Sequence, residues 1–172
     1  MRKIGVTLTS FCMVFLLTFG VQNHVLAAAS MQDDWTYSSW IGWNYTTKGG
    51  IVFAAQKILN SAGMSLKVPG FTVSDGYYGE NTAAATRQYQ RDYGLLADGV
   101  IGNGTWSSFE EHKYYAGNLG SIQRWNVNYR SDWSTVYFER DYINGWCVYA
   151  ESTGKFYLCN DVRYKERTLI PL

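Results

Sequence analysis

Asp75-Gly76-Tyr77-Tyr78-Gly79-Glu80-Asn81-Thr82 and Asp98-Gly99-Val100-Ile101-Gly102-Asn103-Gly104-Thr105 are one pattern written twice, DGΦΦGxxT, where Φ is apolar or aromatic. An aspartate can accept a hydrogen bond inside its own turn, and the glycines permit positive φ. A polar residue at the end of the turn caps a following helix. Each copy therefore predicts a tight turn that runs straight into a helix. Asp75, Gly76, Gly79, Asp98, Gly99 and Gly102 are the turn residues, and each ΦΦ pair anchors its turn to the core.

Helical periodicity surrounds both copies. Ile51, Val52, Ala55, Ile58, Leu59 and Ala62 form one apolar stripe, with Gly63 as a stop. A second helix is predicted from 81 to 93, presenting Ala85, Thr86 and Tyr89 inward and ending at Gly94. A third starts between Asn103 and Thr105 and presents Trp106 and Phe109. Gln90, beside core Tyr89, ties a loop to the second helix.

Three segments, VFAAQKILNSAG (52–63), DGYYGENTAAATRQYQRDYGL (75–95) and DGVIGNGTW (98–106), together resemble the small three-helix peptidoglycan-binding module of bacterial cell-wall proteins. The family's Val and Leu-Gln-Leu-Asn positions correspond to Val52, Ala55-Gln56 and Leu59-Asn60. Its aromatic-Gln pair is Tyr89-Gln90, followed by Gly94-Leu95 and Asp98-Gly99. Ala55 stands where Leu is usual, and the stretch from Gly63 to Asp75 is longer than common. The resemblance spans residues 50–112 and implies a helical domain over 50–113 with peptidoglycan as partner, through its stem peptide or its glycan. Tyr77, Arg87 and Arg91 are the ligand candidates. The two arginines are four apart and share a helix face. Guanidinium forks suit stem-peptide carboxylates, and aromatic rings suit sugar faces. The same arginines equally suit a solvated face paired with Glu80 or Asp92.

Composition narrows the alternatives. The chain has 172 residues, 17% charged and 17% aromatic, with a formal charge of +1. That balance disfavours nucleic acid held by phosphate neutralisation. Arg2 and Lys3, the apolar run Phe11 to Val21 and the small residues Ala27-Ala28-Ala29 have the three-part layout of a secretory signal over 1–29. Cys12 lies inside the apolar run instead of after it, which argues against a lipid anchor, and no stable membrane anchor is expected. Cleavage takes the basic count from 15 to 13 against 14 acids, a formal −1. The expected location is extracellular and wall-associated.

The remainder divides in two. Residues 30–49 are rich in rings: Trp35, Tyr37, Trp40, Trp43 and Tyr45. Residues 114–120 read as a connector, and 121–172 as a small antiparallel β unit. Ser152-Thr153-Gly154 reads as a three-residue hairpin loop with Glu151 facing Lys155. That register places Tyr149 opposite Tyr157 and Cys147 opposite Cys159, predicting a cross-strand disulfide in an exported protein. Val148, Ala150, Phe156 and Leu158 are then the core face. The rings of the β unit either pack against residues 30–50 or bind a ligand or another cell-wall protein.

Catalysis finds little support. Beyond the signal there is one histidine, His112, read as an exposed helix-end residue, whereas zinc hydrolases need at least two imidazoles. A thiol enzyme needs a thiolate beside histidine, and both cysteines are assigned to the disulfide. Glu139, Asp141, Glu151 and Asp161 leave a carboxylate-based glycosidase as the alternative. The sequence thus reads as α+β, a peptidoglycan-binding-like helical module followed by a β unit. It is a noncatalytic wall-binding protein with no metal and no cofactor; the alternatives are a small hydrolase and an accessory or inhibitory protein.

Overall fold

The apolar stripe over 51–62 becomes helix α1, Gly50–Ser61, with Ile51, Val52, Ala55, Ile58 and Leu59 buried. Gly63, at φ +80°, ends this run in the left-handed region. The computed structural model describes residues 29–129, 135–141, 143 and 145–160. Residues 1–28, including Cys12, and Asp161 therefore lie outside the described residues.

Four α-helices are present among the described residues, not the three expected. The addition is the single turn α2, Met64–Lys67, within the stretch that reads as a long loop. Met64 is buried there, and Lys67 reaches Asp92 at 2.6 Å. Helix α3, Glu80–Asp92, buries Ala85, Thr86 and Tyr89. Helix α4, Asn103–Glu110, buries Trp106 and Phe109. Among the described residues no helix is long and apolar enough to cross a membrane.

The rest forms one antiparallel sheet in chain order: β1 Lys113–Leu119, β2 Ile122–Val127, β3 Val136–Asp141, β4 Gly145–Ala150 and β5 Lys155–Leu158. The stretch read as a connector is thus β1. Its alternation is hidden because the register shifts between Tyr115 and Gly117, where Gly117 has φ +123°. Trp125 pairs with Phe138, Phe138 with Val148 and Val148 with Tyr157, forming the row that faces the helices. Phe53 of α1 meets Tyr157 at 5.7 Å between ring centroids.

The β4–β5 hairpin is one residue out of the predicted register. Its loop holds four residues, Glu151 to Gly154, because Gly154 N–H returns 2.9 Å to Ala150 O and draws Lys155 opposite Ala150. Glu151, expected to face Lys155, instead pairs with Lys57 of α1. A single-residue slip exchanges the faces of a strand. Tyr157 replaces Phe156 on the core side, and Tyr149 faces Phe156. Cys147 faces Leu158, while Cys159 N–H donates to Trp146 O at 2.9 Å. The cysteines occupy successive rungs, which project to alternate faces. No disulfide joins these two buried thiols, which corrects the expected Cys147–Cys159 bridge. Burial pushes the Cys159 thiol well up.

Trp35, in a 3-10 turn over Trp35–Tyr37, lies fully buried where helices and sheet meet. Its ring contacts Trp106 of α4, Phe138 of β3 and Trp146 of β4 at centroid distances of 6.4, 5.1 and 5.5 Å. Lys113 Nζ stands 4.8 to 5.2 Å from the rings of Trp35, Trp125 and Trp146 and pairs with Glu110. Glu110 also accepts from Trp35 N at 2.9 Å. Of the two readings of the aromatic segment, packing against the β unit thus holds for Trp35. Tyr37, Trp40, Trp43 and Tyr45 keep large exposed areas.

A second seam is polar and aromatic. Tyr89 OH lies 2.8 Å from Ser108 Oγ and 2.9 Å from Tyr129 OH. His112 packs against Tyr129, ring centroids 3.8 Å apart, and burial lowers its pKa. This half-buried position replaces the exposed helix end expected for His112.

Gly50 marks the closest approach of α1 to the sheet, since a Cβ there would lie 1.8 Å from Leu158 O. Gly50→Ala should cost about 1–3 kcal/mol in denaturant unfolding, the usual range for overpacking. Gly104→Ala, in α4 with open space around the new methyl, should instead stabilise by about 0.5–1 kcal/mol. Alkaline pH provides a separate check. Burial raises Tyr89 and Tyr78 to about 12, so above the ordinary value of 10.0 the folded state holds protons that the unfolded chain releases. The contribution of these two tyrosines should be constant below that value and fall through the interval, by about 1.4 kcal/mol per pH unit for each. Tyr89→Phe should flatten part of that decline in unfolding measured from pH 9 to 12.

Candidate functional site

The two DGΦΦGxxT turns are built by the same bonds. In the first, Gln56 Nε2 donates to Asp75 Oδ1, Tyr77 O and Thr82 Oγ1 at 2.9, 3.0 and 3.0 Å. Gln56 Oε1 accepts from the backbone N–H of Asp75 and of Gly76 at 3.0 and 2.8 Å. In the second, Gln90 Nε2 donates to Asp98 Oδ1, Val100 O and Thr105 Oγ1 at 3.0, 2.8 and 3.1 Å. Gln90 Oε1 accepts from Gly99 N at 2.8 Å. Each aspartate also accepts from the N–H two residues on, at Tyr77 and Val100. One buried amide thus satisfies a whole turn, with donors and acceptors used on both ends.

Each ΦΦ pair anchors its turn through its second member, and Tyr77 is left exposed, as a ligand candidate should be. The second member is buried, Tyr78 and Ile101, while the first, Tyr77, is 65% exposed. The segment before α1 fastens both turns from outside. Ile41 exchanges two backbone bonds with Ile101 at 3.1 and 2.9 Å. Thr47 O accepts from Tyr78 N at 2.8 Å, and Gly49 N donates to Gly76 O at 2.9 Å. Tyr78 OH donates to Gly99 O, linking one turn to the other.

A shallow cleft opens beside each turn. The first, about 340 Å³, is lined by Phe71, Val73, Tyr77 and Asn81 above Gln56 and Asp75. The second, about 310 Å³, is lined by Trp40, Leu95, Leu96 and Asn103 above Gln90 and Asp98. Trp40 lies across Gly102, where a Cβ would come within 3.4 Å of its ring, and its Nε1 donates to Asn103 Oδ1 at 2.6 Å. Each cleft therefore has a turn for a floor and an aromatic ring for a wall, an arrangement that can grip a polymer by stacking and by amide hydrogen bonds.

The three ligand candidates occupy different places. Tyr77 lines the first cleft. Arg87 extends over the second turn, where its Nη1 would lie 3.0 Å from a Cβ on Gly99. Arg91 is exposed on α3 and donates to Gln88 Oε1 at 2.8 Å. No hydrogen bond or ring contact joins Tyr77 to either arginine among the described residues. The partners suggested for a bland basic face are otherwise engaged in part, for Asp92 takes Lys67 and Gln88, which hold its carboxyl below the usual range.

Sequence reading placed Gln56 in the family pattern and Trp40 in the aromatic segment but gave neither a role at the turns. Gln56 had a signal: it precedes its turn as Gln90 precedes the other, so the repeat extends back to a glutamine on each preceding long helix. Trp40 had none, because its role depends on a segment folding back from outside the repeat. No curated protein and no solved structure matches the chain. Residues 48–108 match the family described as putative peptidoglycan binding domain, a span holding α1, α2, α3, both turns and most of α4.

Proposed function

We propose that this is a secreted, noncatalytic protein of the bacterial cell wall that holds peptidoglycan through residues 50–113. The family match over 48–108, coincident with two like-built clefted turns, is the observation that supports it. The signal-like segment 1–29 supports export, and the five-stranded sheet from Lys113 to Leu158 is carried packed on the wall-binding helices. In this reading Tyr77 supplies a ring for a sugar or stem-peptide face, while Arg87 and Arg91 supply donors for stem carboxylates. Asp75, Gly76, Gly79, Asp98, Gly99 and Gly102 are assigned first to the turns that floor the two clefts.

Sedimentation with purified wall sacculi, followed by assay for released muropeptides, should give binding without release. Release that disappears in Glu139→Gln would establish a hydrolase instead. Arg87→Ala should weaken sacculus binding by about 1–3 kcal/mol, the range for a charged hydrogen bond, with an unfolding midpoint close to the parent's. Asp98→Ala should behave oppositely. It strips Gln90 Nε2 and Val100 N–H of an acceptor, so it should lower stability by about 1–3 kcal/mol in denaturant unfolding. Wall binding should survive that change wherever the variant is folded.

A further inference from the structure

We propose that the outer face of the sheet is a second binding site, for a chain of neutral pyranose sugars, the glycan strand of the same polymer. This extends the wall-binding reading to a surface outside the matched domain. On that face Tyr114 stands opposite Asn126, Asn126 opposite Tyr137, and Tyr149 opposite Phe156. The Tyr137 and Tyr149 rings are 6.2 Å apart, and those of Tyr149 and Phe156 5.1 Å. One transverse row therefore crosses all five strands, roughly 19 Å at the usual strand spacing. Beside it, on the next row of the same face, Arg124 stands opposite Glu139 and bonds it at 3.2 Å.

A cleft of about 360 Å³ opens between the rows, lined by Arg124, Asn126, Tyr137, Glu139, Tyr149 and Phe156. The core does not need these rings, because the opposite face carries Trp125, Phe138, Val148 and Tyr157 toward the helices. Yet Tyr137 remains 46% exposed in the middle of the sheet.

The chemistry selects the occupant. Successive rings a strand apart match the repeat of a sugar chain, whose C–H faces stack on aromatic π-systems. Arg124, whose side chain is half open to solvent, and Asn126 supply planar donors and an amide acceptor suited to hydroxyl and acetamido groups, while buried Glu139 holds the guanidinium in place. An anionic polymer is disfavoured, because the guanidinium is already matched by a carboxylate that is only 4% exposed. A peptide strand would add at a sheet edge, where backbone groups are open, not across a face.

The test is calorimetric titration of the full chain with a β-1,4-linked N-acetylglucosamine hexamer. The parent should bind, Tyr137→Ala should bind about three- to tenfold more weakly, and Tyr137→Phe, which keeps the stacking face, should bind like the parent. A parent that ignores the hexamer overturns the proposal, as does Tyr137→Ala binding at parental strength or Tyr137→Phe losing as much as Tyr137→Ala. A parent that ignores the hexamer but self-associates through Tyr137 in sedimentation velocity assigns the face to a second copy, and also overturns it. Peptide-bearing sacculi titrated in parallel separate the two readings. Hexamer binding lost with Arg87-dependent sacculus binding retained removes only the sheet site. Hexamer binding retained with Arg87-independent sacculus binding removes only the helical one.

Discussion

Burial of Trp35 is the constraint from which the arrangement of the molecule follows. The indole has no water-exposed surface and is enclosed by side chains from α4, β3 and β4. Apolar burial of that size contributes several kcal/mol to folding, and the ring geometry adds a directional component. Lys113 completes the enclosure: its ammonium sits among three indoles, and Glu110 on the adjoining helix balances its charge. A short segment before the first α-helix thus fixes where the last helix ends and where the sheet begins.

The same economy appears in the two turns. Each uses a single glutamine side chain as a local hub, so that backbone groups facing the protein interior are satisfied without help from solvent. In the first of these rigid turns Tyr77 projects into solvent while its neighbour Tyr78 is anchored. The clefts lie beside the hubs, which ties the shape of the surface to a buried amide.

The helical half was legible because its signals are local. The DGΦΦGxxT repeat gave both turns, the glycine stop at Gly63 ended α1, and Trp106 and Phe109 lie inward as their spacing requires. The short α2 escaped because one turn carries too few residues for a period to show. In the sheet the signals were weaker. Gly117 concealed β1 by breaking its alternation, and the hairpin register follows a four-residue loop closed by Gly154 N–H on Ala150 O. Since register decides which residues share a face, the Gly154 turn carried the disulfide expectation away with it. The clefts were legible as turns and not as surfaces, because Trp40 arrives from outside the repeat.

The bonds from Ile41 and Thr47 to the two turns have an architectural consequence. Here the boundary of the matched span cuts through the support of the structure: excision at 48–108 would uncover Ile101 and strip Trp106 Nε1 of its acceptor, Ser39 O. The unit of inheritance that preserves the fold is accordingly larger than the unit that carries the signature. Gene fusion or shuffling at the domain edge would transmit a motif without the scaffold on which its shape depends.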